Sequence, residues 1–61
     1  MTLGSYLVCV SEKVRVVVRF GGERYVGRKA ELPPFLMGKP VLHVCYWPTR
    51  LGGMDCFILL G

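Results

Sequence analysis

Apolar and polar positions alternate most clearly between Lys13 and Phe20. Val14, Val16, Val18 and Phe20 fall on one side of an extended chain, and Lys13, Arg15, Val17 and Arg19 on the other. That pattern predicts a half-buried strand. Gly21-Gly22 follows, a pair that accepts the positive φ angles of a two-residue hairpin turn, and Glu23 to Arg28 then forms the returning strand. A two-residue loop sets Phe20 opposite Glu23, hence Arg19 opposite Arg24 and Arg15 opposite Arg28. Val18 and Tyr25 then point inward, while the arginines surround Val17 and Val26 on the outward side.

On either side of this hairpin the pattern is less regular. Tyr6 to Val10 is a continuous apolar, β-prone run and reads as a first strand, with Ser11-Glu12 as the break after it. Gly27 interrupts the third strand, where a glycine marks a bulge or sharp bend. Pro33-Pro34 disfavours helix before it, and Phe35 to Gly38 reads as one short helical turn ended by glycine. Val41 to Trp47, with Pro40 at its entry, reads as strand four; Pro48 to Gly53 is a loop and Asp55 to Leu60 a last strand. Short strands at this spacing, with a single helical turn, predict an all-β fold: one domain over residues 1–61, a small five-stranded antiparallel barrel of SH3-like or OB-like type.

Composition narrows the class. A chain of 61 residues, 52% of them hydrophobic, has a small core and apolar surface left over for self-contact, so a homo-oligomer is a natural expectation. The net charge is +4, and six of the eight basic residues (Lys13, Arg15, Arg19, Arg24, Arg28 and Lys29) lie between positions 13 and 29. Such concentration points to an acidic partner. The three cysteines, Cys9, Cys45 and Cys56, are odd in number and lack CxxC spacing, which fits reduced thiols in a cytoplasmic protein. Neither a signal peptide nor an apolar run of membrane-spanning length is present, so no membrane partner is expected.

Like charges directly opposite on a sheet cost roughly 0.2–1 kcal/mol per pair, so the outward face of the hairpin should welcome an anion. Guanidinium forks match phosphate oxygens in two-point contacts, which makes Arg15, Arg19, Arg24 and Arg28, with Lys29 beside them, candidates for binding nucleic acid or a nucleoprotein complex. The plainer reading of the same face is a strand whose long side chains splay into water. Among the aromatics, alternation places Phe20, Tyr25, Phe35 and Phe57 in the core. Trp47 is the one expected outside, where with Tyr46 and Pro48 it offers a stacking platform for bases or an anchor for a protein partner.

Catalysis has little to stand on. One histidine, His43, and one aspartate, Asp55, are accompanied by Glu12, Glu23 and Glu31 at element ends, and no nucleophile, base and orienting group fall at workable spacing. His43 and Cys45 share a strand face and with Cys9 and Cys56 have the donor types of a Cys₃His zinc set. Structural zinc sites usually draw on close cysteine pairs, so the thiols are read as core residues; no metal and no cofactor are expected.

The run Gly22-x-x-Tyr25, Leu32, Leu36-Met-Gly38-Lys39-Pro-Val41, Tyr46-x-Pro48-x-x-Leu51 and Cys56-Phe57 resembles the small β-barrel that follows the catalytic core of Mu-type transposases. It departs from that family in having Trp47 before Pro48 where an acid is usual. The interval from Gly38 to Pro48 is also one residue longer, which calls for a bulge in strand four. The resemblance implies a basic barrel of phage or mobile-element origin that touches DNA without performing strand transfer. Val16-x-Val18 with Gly22-x-x-Tyr25-x-Gly27 is similar, more faintly, to Sm-type proteins, ring-forming barrels on RNA. A Met1 start, if native, makes this a free-standing small protein, and the competing expectation is then a small inhibitor that occupies a protein surface of a host machine, such as an anti-CRISPR or other counter-defence factor.

Overall fold

The computed structural model describes residues 1–61. Its elements run α1 (Leu3–Leu7), β1 (Arg15–Phe20), β2 (Glu23–Gly27), two 3₁₀ turns (Lys29–Glu31 and Pro34–Gly38), β3 (Val41–Pro48) and β4 (Met54–Leu60). The strands form one sheet in the order β2-β1-β4-β3. β1 pairs antiparallel with β2, β4 antiparallel with β3, and β1 and β4 run parallel at the centre.

The central hairpin adopts the expected register, with Phe20 opposite Glu23, Arg19 opposite Arg24 and Val18 opposite Tyr25, but the ladder ends at Val16 opposite Gly27, so the expected opposition of Arg15 and Arg28 is not formed. Gly21 and Gly22 both take positive φ (60° and 82°), the two-glycine signature of a type I′ turn whose twist matches the flanking strands. Val16 and Val18 are fully buried, and Val14 and Phe20 pack half-buried against the same core. Leu42 is an extra residue in β3, where the pairing slips between Val41 and His43.

Three expectations are corrected. Tyr6–Val10 is not a strand: Leu3–Leu7 is helical, begun by Thr2, whose hydroxyl accepts from the Ser5 amide at 3.3 Å. Leu3, Leu7 and Val10 are all buried, the spacing of one helix face, and they cover the apolar side of the sheet made by Val16, Val18, Cys56, Ile58 and Leu60. Local β-propensity yields here to the need for a covering layer. Next, the sheet is open and has four strands: with the first segment helical, nothing spans from β2 to β3, and no barrel closes. Finally, the sheet is mixed, not antiparallel, because β4 inserts between β1 and β3 and runs parallel to β1.

The second 3₁₀ turn completes the covering layer with Leu36, and Leu32 fills beside it. Main-chain bonds from Leu3 to the Lys39 carbonyl and from Val41 to the Met1 carbonyl, both 2.9 Å, tie the N-terminus to the start of β3. One face of the sheet is thereby covered by α1 and the 3₁₀ turn. The other face is bare. No helix is long and apolar enough to cross a membrane.

Candidate functional site

Cross-strand partners share a face, so the ladders define the bare side row by row. One row runs Val26, Val17, Phe57, Cys45; the next runs Arg24, Arg19, Leu59, His43; a third holds Arg15, Asp55 and Trp47. Arginines therefore gather over β2 and β1, while apolar and aromatic groups occupy β4 and β3. Val17 is buried between Val26 and Phe57, and Trp47 is the most exposed aromatic at 61%.

The arginines fare differently. Arg15 is held by Asp55 through a 2.5 Å ion pair, and the carboxylate, by its hydrogen bond and its charge, pushes the guanidinium further above its ordinary value. Arg15 is thus already matched to an anion. Arg19 and Arg24 face each other across the hairpin and make no ion pair. A cleft of about 250 Å³ lined by Arg15, Val17, Arg24, Val26 and Phe57 opens beside them.

Two predicted members lie apart from this group. Arg28 follows the last residue of β2, its amide bound to Glu31 Oε1 at 2.9 Å, and it lines a broad opening with Glu12, Lys13 and Glu31 where both signs of charge meet. Lys29 turns to the helix side of the sheet, where its Nζ donates to the Leu7 carbonyl at 3.3 Å, at the end of α1. An ammonium there satisfies a helix C-terminal carbonyl. Of the six predicted contact residues, Arg15, Arg19, Arg24 and Trp47 share the bare face; Arg28 stands at its margin and Lys29 is on the other side.

Alternation along β4 places Phe57 on the bare face, 36% exposed, so its assignment to the core is corrected. Asp55 apart, both sets of alternate residues in this strand are apolar, which masks its orientation in the sequence. The signal that resolves it is Asp55: an acid at the strand entry faces outward, and Phe57 and Leu59, two and four positions on, go with it. Phe35 likewise lies 54% exposed, with its edge against Tyr25 and Phe20.

Cys9 is exposed beyond α1, Cys45 and His43 lie on the bare face, and Cys56 is buried on the opposite face. No three His, Cys, Asp or Glu side chains converge to hold a metal ion, and the Cys₃His set is split by the sheet itself. Under the sheet, Tyr6 and Tyr46 join their hydroxyls. That bond, then burial, pushes the Tyr46 hydroxyl well above the ordinary tyrosine range, and burial pushes the Cys56 thiol beside it up as well. No family model, curated protein or solved structure matches the chain.

Proposed function

We propose that this is a non-enzymatic nucleic-acid-binding protein that lays a single strand across the bare face of its sheet. Arg19 and Arg24 take phosphates, while Phe57 and Trp47 stack on bases. The observation that carries the reading is the juxtaposition of two opposed, unpaired guanidinium groups with an exposed aromatic on the adjacent central strand. An open sheet face with exposed aromatic rings suits unstacked bases, which meet such rings for about 1–3 kcal/mol each.

The test is the salt dependence of binding to a single-stranded oligonucleotide. With Arg15 tied to Asp55, Arg19 and Arg24 neutralise two phosphates, and the logarithm of affinity should fall against the logarithm of salt with a slope of about −1.4. Charge reversal at Arg19 and Arg24 together should remove binding. A slope near zero, or binding untouched by the double reversal, overturns the proposal.

One observation favours a second reading, contact with a host protein. In the apolar half of the face, meeting the arginines only at Arg19, lies a small cavity of about 90 Å³ lined chiefly by Val17, His43, Cys45, Phe57 and Leu59, of a kind that receives a hydrophobic anchor. Binding through that half would leave the affinity nearly independent of salt and sensitive to Leu59→Lys.

A further inference from the structure

An open sheet has two edges, and here they are unlike. The β2 edge is five residues long and carries Glu23 and Arg24, with Arg28 just past its end. The β3 edge is eight residues long, and no Lys, Arg, Asp or Glu lies between Lys39 and Arg50. Its start is occupied, since Met1 and Leu3 bond to Val41 and Lys39. From Leu42 to Pro48 no main-chain hydrogen bond reaches the outer edge, and the one side-chain bond to this stretch joins the Tyr46 and Tyr6 hydroxyls beneath the sheet. A long, uncharged strand edge rich in Val, Leu, Tyr and Trp is the kind that proteins ordinarily blunt with charge. The Leu42 bulge, the N-terminal segment and Pro48 delimit the free stretch without blocking it.

We infer that this edge pairs with the same edge of a second copy, joining two sheets into one of eight strands. A two-fold antiparallel contact is self-complementary and closes, leaving no β3 edge over. Charge selects this edge over the other: pairing through β2 would bring the Arg24 and Arg28 side chains of both copies together. Pairing through β3 sends the two arginine hairpins to opposite ends of the joined sheet, seven strand spacings or roughly 34 Å apart.

Register follows from the faces. To keep both covering layers on one side, open-face residues must sit opposite open-face residues, and the midpoint of the free stretch Leu42–Pro48 is Cys45, which then lies opposite itself. His43 meets Trp47 on either side of it. The contact does not depend on what the bare face binds.

Edge pairing alone falls at the low end of interface sizes, under about 1,200 Å², so dissociation on the order of micromolar is expected. Sedimentation equilibrium of the full chain should show a monomer–dimer exchange. Hydrogen exchange should show outward amides between Leu42 and Trp47 gaining protection as concentration rises. Cys45→Lys and Cys45→Glu should each be monomeric, because like charges then face one another across the axis, and an equimolar mixture of the two should dimerise again. A wild-type chain that stays monomeric to about millimolar concentration overturns the inference. So does a dimer whose β3 amides remain unprotected, which would place the contact on the bare face instead.

Discussion

Asp55 is a short acid on a central strand, and its 2.5 Å contact with Arg15 takes one guanidinium out of the phosphate-binding set. Removing the acid should hand it back. Asp55→Asn is expected to tighten oligonucleotide binding and to steepen the salt slope by about 0.7, the share of one further phosphate on a single strand, as read by titration at several salt concentrations. Arg15→Ala should act the other way on the fold, lowering the melting temperature, because it leaves the 12% exposed Asp55 side chain without its partner. The opposition of Arg19 and Arg24 was legible from two glycines and a count of residues. The Arg15–Asp55 pair was not, since it joins positions 40 apart through a parallel ladder that no local pattern announces.

Tyr46 and Cys56 add a pH dependence beneath the sheet. Both hold their protons more tightly in the folded state than the ordinary values of 10.0 and 9.0. The stability they contribute is therefore complete below the ordinary thiol value and is lost as pH rises through the higher folded values. Melting temperature should hold to about pH 8.5 and then decline. Tyr6→Phe removes the bond to Tyr46, and an ultraviolet titration of the tyrosines should then show the most alkaline transition moving down toward about 10.

At the scale of elements, the hairpin and the helix tested sequence reading in opposite ways. The turn at Gly21-Gly22 was legible because positive φ at two successive positions leaves few residues to choose from. Gly22→Ala should accordingly destabilise the protein by about 1–2 kcal/mol in urea unfolding, the usual penalty for a side chain in the left-handed region, whereas Gly21→Asn should be nearly neutral. α1 was hidden by its β-branched and aromatic neighbours, although Leu3, Leu7 and Val10 carried its spacing and Thr2 its cap. Leu3 is fully buried, so Leu3→Ala should cost about 2–5 kcal/mol. In a domain of this size that is enough to make unfolding measurable at room temperature.

Across the whole molecule, one covered face and one bare face account for both the small core and the surplus of exposed apolar groups. The same division sorts the thiols. Cys9 should react with a thiol reagent at once, half-buried Cys45 more slowly, and Cys56 only as fast as the protein unfolds, with the melting temperature unchanged by reductant because no disulfide joins them. A single fast phase for all three would mean that the covering layer does not hold.

What the chain determined by itself was local: the double-glycine turn, the hairpin register, the uneven placement of basic residues, the bounds of β3 and β4 to within a residue. These follow from φ preferences and a two-residue period, which act between near neighbours. Tertiary structure decided what depends on distant partners. An apolar sheet face had to be covered, so a β-prone opening became a helix; β4 entered between β1 and β3, so the barrel stayed open, Phe57 came to the surface, and Asp55 met Arg15.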